Sequence, residues 1–173
     1  MKVLSLFSGV GGFDLALIRK GFTLVGACEI DANARRIYAK RFPGVKIYED
    51  ARTIKPDNLP DFDLLVGGFP CQAFSLAGKR LGFKDTRGTL FYEIARIIKE
   101  KRPKDILLEN VKGLLYHDKG RTFEIILGIL DDLGYDVEWQ VLYSKYHTPQ
   151  KRERVFIVGH SREKPRPQIF PIR

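Results

Sequence analysis

The chain has 173 residues, 44% of them hydrophobic, and 30 Lys and Arg against 21 Asp and Glu give it a net charge of +9. That length suits a single domain able to bury about 70% of the surface its unfolded form exposes, so no staple of disulfides or metal is needed to make a core. No apolar run approaches about 18 residues, which excludes a helical membrane span, and the basic balance favours a polyanionic partner over a surface that is merely solubilising.

In chain order, residues 2 to 7 (KVLSLF) read as a buried strand running into Ser8-Gly9-Val10-Gly11-Gly12. A helix follows to about Lys20, with Phe13, Leu17 and Ile18 inward and Gly21 as its stop signal. Phe22 to Cys28 is a second strand, Asp31 to Arg41 a helix capped by Asp31, and Val45 to Tyr48 a third strand ending at Glu49-Asp50. A polar connection, Lys55 to Asp61, leads to a fourth strand, Asp63 to Val66, ended by Gly67 and Gly68. Thr89 is placed to cap a helix whose apolar stripe is Leu90, Phe91, Ile94, Ala95, Ile97 and Ile98. Asp105 to Leu108 is a fifth strand, Phe123 to Leu133 mark a helix closed by Gly134, and Asp136 to Tyr143 and Arg154 to Val158 are two more strands. Strands alternating with helices predict an α/β fold: a doubly wound, mostly parallel sheet with helices on both faces. Residues 1–160 form the predicted domain, and the proline-bearing stretch 161–173 reads as a tail or linker.

Chemistry concentrates after the fourth strand, in DLLVGGFPCQAFSLAGKR. Phe69-Pro70 delivers Cys71 at the carboxyl end of a strand, the edge where open α/β sheets place ligands. Pro70 fixes its own φ and biases Phe69 toward extended geometry, so the thiol is aimed. Most free cysteines are small buried hydrophobes, but the polar sequel Gln72, Ser75, Lys79 and Arg80 suits a reactive thiol better, and cationic neighbours favour the thiolate. Cys28, inside a strand, reads as packing. Two cysteines without paired spacing, and no charged-then-apolar leader, predict a reducing cytoplasmic setting.

At the amino end, Gly9, Gly11 and Gly12 form a glycine turn after the first strand, and Glu29 lies 20 residues beyond Gly9 at the end of the second. Doubly wound folds hold an adenosine moiety this way, with the acid on the ribose hydroxyls. Asp50, ending the third strand, is placed to accept from an adenine amino group. The turn is not GxGxxG, and a tight strand-to-helix connection with surface or capping acids accounts for the same residues.

With FSGVGG, GFPCQAFS, ENV and QKRER in hand, the chain resembles the DNA (cytosine-5) methyltransferases, particularly the compact bacterial restriction-modification enzymes. The resemblance covers residues 3 to 160 with the blocks in family order. It implies a Rossmann-like methyltransferase fold, S-adenosyl-L-methionine as methyl donor, S-adenosyl-L-homocysteine as product, and a cytosine flipped out of double-stranded DNA. By similarity Cys71 adds to C6 of cytosine, C5 of the resulting enamine attacks the methyl group, and loss of the C5 proton with elimination of the thiol leaves 5-methylcytosine. Glu109 of ENV matches the family's donor to N3, with a salt bridge to a neighbouring arginine as its alternative reading. Arg152 and Arg154 match the arginines that hold the active-site network and the cytosine O2; an exposed basic edge is the alternative. Phe7, Glu29, Asp50 and Pro70 match cofactor contacts, and Gly9 and Gly11 shape the turn. Gln72 and Ser75 match the loop that closes over DNA, with Lys79 and Arg80 beside them. His147 stands where many relatives have glycine after a tyrosine.

Complete family members continue into a target-recognition region and then return to the catalytic domain. This sequence stops at Arg173, so the expected protein is the catalytic part of a split or shortened enzyme that works with a complementing chain. No metal is expected. Two other functions remain open: methylation of cytosine in RNA, as in one branch of the family, and a non-catalytic binding module. The wording AFSLAGKR is closer to the DNA branch, and a pure binder has no need of Cys71, Glu109 and Arg154 together.

Overall fold

The computed structural model describes residues 1–70, 90–146, 149–163 and 167–172. Seven strands make one sheet: β1 (Lys2–Leu6), β2 (Thr23–Cys28), β3 (Ile47–Tyr48), β4 (Leu64–Gly68), β5 (Asp105–Val111), β6 (Tyr135–Tyr143) and β7 (Glu153–Ser161), in the spatial order β3-β2-β1-β4-β5-β7-β6. The first five are parallel; β7 is antiparallel to both β5 and β6. Among the described residues four α-helices, α1 (Gly12–Arg19), α2 (Ala32–Arg41), α3 (Leu90–Lys101) and α4 (Arg121–Asp132), connect them.

Strand side chains alternate between faces, and the core divides accordingly. Leu4, Leu6, Leu65, Ile106 and Leu108 point to one face and pack with Phe91, Ile94, Ile98, Ile126 and Leu130 of α3 and α4. Val3, Leu64 and Val66 point to the other and meet Phe13 and Leu17 of α1, while Ala27 meets Tyr38 of α2 and Phe42 just beyond it. Helices on both faces are what the alternating pattern predicts, and a parallel sheet buried on both sides explains the nearly unbroken apolar strands.

Several local expectations are corrected. Gly67 and Gly68 do not end β4 but belong to it, paired with Leu108 and Glu109 of β5. That strand likewise runs on through Glu109 and Asn110 to Val111. Ile18 is exposed, and the polar Asp14 is the fully buried residue of α1. Asp31 caps α2 as expected, its side chain accepting from the Ala34 amide at 2.7 Å. Thr89 and His147 lie outside the described residues. In the tail, the Ile169 and Phe170 amides each donate to the Glu138 carboxylate of β6 at 2.8 Å. Among the described residues no helix is long and apolar enough to cross a membrane.

Candidate active site

The parallel strands end along one edge of the sheet, and both predicted half-sites lie there. At the β1 end, Phe7 turns the chain with φ of 54°, a left-handed conformation that is an outlier for a bulky residue. Such strain marks functional turns more often than ordinary ones. Gly9 at φ 55° and Gly11 at φ 85° continue the turn.

The end of β2 holds the turn from one side. The Ser8 amide donates to the Cys28 carbonyl at 3.0 Å. Glu29 spans the crossover, one carboxylate oxygen accepting from the Gly9 amide and the other from the Asp31 amide, both at 2.8 Å. A carboxylate offers about four lone-pair sites, so Glu29 retains acceptor capacity for hydroxyl donors. A Cβ placed on Gly9 or Gly12 would meet nothing within 4 Å, so open space lies over these residues. The buried hydroxyl of Ser8 lacks a protein partner among the described residues. A glycine turn with room above it, an orphaned hydroxyl and a carboxylate with spare acceptor sites fit a nucleoside with hydroxyl groups. Ser8 was not singled out from the sequence, because a serine beside glycines reads there only as turn chemistry.

Asp50 also reaches this edge, where its carboxylate takes two donors from the Arg52 guanidinium and one from the Arg52 amide. The Arg52 hydrogen bonds hold its pKa below the usual carboxylate value. Cys28 is buried, and desolvation, aided by the charges of Asp50 and Glu29, pushes its thiol up to about 12.

The second half-site is at the ends of β4, β5 and β7. Register sets Gly68 opposite Glu109, and Glu109 opposite Phe156. A Cβ on Gly68 would come within 3.2 Å of Glu109 Oε2, so the glycine allows the carboxylate to lie across the end of β4. The other oxygen, Oε1, accepts from Arg154 Nε at 2.8 Å and faces Arg152 Nη2 at 3.6 Å. The salt bridge foreseen as the alternative reading of Glu109 is therefore present, on one oxygen. The second oxygen, Oε2, is the one that lies beside Gly68. Asn110, pointing the opposite way, is buried, and its amide donates to the Phe69 carbonyl at 2.8 Å.

Phe69 is itself anchored by its ring against Phe91, with centroids 5.4 Å apart. Pro70 is exposed at the rim. A cleft of about 550 Å³ opens beside Glu109, Arg152 and Arg154, floored by Leu142 and Phe156. Of the predicted residues, then, Phe7, Gly9, Gly11, Glu29 and Asp50 gather at one end of the edge, and Glu109, Arg152, Arg154 and Pro70 at the other. Cys71, Gln72, Ser75, Lys79 and Arg80 lie outside the described residues. No group of His, Cys, Asp or Glu suited to a metal occurs among the described residues.

Comparison with known proteins identifies the family. The model of the C-5 cytosine-specific DNA methylase family matches residues 1–172. The chain is 53% identical over 161 residues to the type II methyltransferase M.NgoBI of Neisseria gonorrhoeae, covering 92% of this chain and 50% of that one. It is 52% identical over 164 residues to M1.ScrFI of Lactococcus lactis subsp. cremoris, covering 94% and 42%. A crystal structure of a mutant Spodoptera frugiperda DNMT2 superposes with a TM-score of 0.72 at 25% identity, covering 92% of this chain and 50% of that one. The chain thus spans about half the length of the curated relatives it matches, and it belongs to the C-5 cytosine-specific DNA methylase family.

Proposed function

We propose that this chain is the catalytic part of an enzyme that methylates C5 of cytosine in DNA, with S-adenosyl-L-methionine as donor and S-adenosyl-L-homocysteine as product. The observation that carries the reading is the placement of Glu109. Its Oε2 lies over Gly68, three residues before Cys71, while Oε1 is held by Arg154.

In this reading Cys71 is the nucleophile. Cytosine C5 is a poor nucleophile until a thiolate bonds to C6, and that addition pushes electron density onto the ring at N3. Glu109 Oε2 serves N3 by a hydrogen bond or proton, help typically worth about 10²- to 10⁴-fold. Arg154 orients Glu109 and contacts O2, and Arg152 supports the pair. Asn110 fixes the Phe69 carbonyl and so the approach of the chain to Cys71. The cofactor supplies the electrophilic methyl group. Glu29 receives its ribose hydroxyls, Asp50 stands at the adenine end, Gly9 and Gly11 shape the turn, and Phe7 and Pro70 wall the space. Deprotonation of C5 and elimination of the Cys71 thiol then restore the ring.

Gln72, Ser75, Lys79 and Arg80 belong to the segment that meets DNA, and the excess of basic residues suits its phosphates. Recognition of the target sequence is assigned to a complementing chain corresponding to the part of the relatives that this chain does not match. The setting is a reducing cytoplasm. Calorimetric titration with S-adenosylhomocysteine tests the cofactor half: saturable binding, abolished or much weakened by Glu29→Ala, is expected. Absence of binding, with the complementing chain present as well, contradicts the methyltransferase reading.

A further inference from the structure

The glycine turn is gripped from a second side, by α2. Tyr38, Arg41 and Phe42 are spaced i, i+3 and i+4, so they share one helix face, and each meets a different residue of the turn or the helix it starts. Arg41 Nη1 donates to the Val10 carbonyl at 3.0 Å. The Phe42 ring lies against Gly11 so closely that a Cβ there would sit 2.2 Å from Phe42 Cε2. The Tyr38 hydroxyl, on a fully buried side chain, donates to Asp14 Oδ1 at 2.9 Å, and Asp14 Oδ2 accepts from Ser5 of β1 at 3.0 Å. Tyr38 and Phe42 also brace one another, with ring centroids 4.6 Å apart.

Gly11 is therefore a glycine for the sake of α2 and its own positive φ, whereas Gly9 and Gly12 face open space. Val10 sits between two left-handed glycines, which are conformationally permissive, so the peptide group that follows it depends on what holds it. Its N–H end is held inside the turn, where the Gly11 amide donates to the Ser8 carbonyl at 2.9 Å, and its carbonyl end is held from outside by Arg41.

We propose that Tyr38, Arg41 and Phe42 are positioning residues that set the shape of the glycine turn and thereby its affinity for the adenosyl cofactor. The inference rests on the cofactor reading above. Arg41 is exposed, so its removal leaves the core intact and separates turn shape from stability.

The test is titration of the 173-residue chain with S-adenosylhomocysteine, alongside melting of each protein without ligand. Arg41→Ala should weaken binding about tenfold, the scale of a hydrogen bond from a charged donor, at an unchanged melting temperature. Arg41→Lys, which keeps a donor, should recover most of the loss; Tyr38→Phe should weaken binding severalfold; Lys40→Ala, on the same helix, should change nothing. Wild-type affinity in both Arg41→Ala and Tyr38→Phe would overturn the inference while leaving the cofactor reading in place. So would a loss in Arg41→Ala that lysine fails to rescue and that tracks a fall in melting temperature. Failure of the wild-type chain to bind, with the complementing chain present as well, would remove the cofactor reading and this inference with it.

Discussion

The side-chain amide of Asn110 hydrogen-bonds the main-chain carbonyl of Phe69 at 2.8 Å, tying the end of β5 to the end of β4. The same side chain accepts from the Val111 amide at 2.8 Å, so one buried residue fixes both strand ends. Asn110→Ala leaves the Phe69 carbonyl without its partner, a loss of about 1–3 kcal/mol. Chemical denaturation should show that loss, and methyl transfer should fall further than Glu109→Gln alone explains if the two are combined. Wild-type stability in Asn110→Ala would show that the bond is dispensable.

The two cysteines should differ in reactivity. Burial keeps the Cys28 thiol at a pKa of about 12, so almost none is thiolate near pH 8. Alkylation of the native chain followed by peptide mass mapping should leave Cys28 unmodified, with modification appearing only on unfolding. In Cys71→Ser, rapid native alkylation should disappear. Fast labelling of Cys28 in the folded protein would contradict the packing described for β2.

Asp14 makes stability pH-dependent with a defined sign. Desolvation raises its folded pKa despite the hydrogen bonds from Tyr38 and Ser5. The folded state then holds its proton more tightly than the unfolded state, and stability is lost as pH rises from the unfolded value of about 3.9 through the raised folded value. Asp14→Asn lacks this loss. The stability of the variant relative to wild type should therefore increase with pH across that window, as measured by urea denaturation. A flat difference would mean that Asp14 titrates alike in both states.

Gly11 offers a sharper structural test. Gly11→Ala combines a positive φ with a Cβ thrust into the Phe42 ring, and the left-handed conformation alone costs about 1–2 kcal/mol. Gly12→Ala meets open space at a residue without positive φ and should be much milder in thermal melts. The reverse ranking would place the crowding at the wrong glycine.

Much of this arrangement was legible in the sequence because it follows local rules. Asp31 as cap, Gly21 and Gly134 as helix stops, and the stripe from Phe91 to Ile98 are readable from spacing alone. What was not legible depends on distant partners. Gly67 and Gly68 look like a strand stop, yet β1 and β5 flank them and extend the ladder, and Gly68 is small because Glu109 lies across it. Asp14 is polar and Ile18 apolar, so periodicity places Ile18 inward; Tyr38, 24 residues away, supplies the donor that allows the carboxylate to be buried instead. The insertion of β7 between β5 and β6 brings Arg154 to Glu109. No local pattern encodes that pairing: the sequence offered a salt bridge to an unspecified neighbouring arginine, and the motif resemblance put Glu109 and Arg154 in one site.

Covalent trapping tests the central claim most directly. DNA carrying 5-fluorocytosine retains fluorine at C5, where a proton would otherwise be lost, so the thiol adduct cannot be eliminated after methyl transfer. The chain should be mixed with S-adenosylmethionine, this DNA, and a separate polypeptide comprising the part of the Neisseria gonorrhoeae relative that it does not match. The account predicts a denaturant-resistant protein–DNA adduct whose attachment maps to Cys71, and none with Cys71→Ser, although that variant still binds S-adenosylhomocysteine. An adduct that persists in Cys71→Ser, or no adduct from a wild-type mixture that binds both cofactor and DNA, would contradict it.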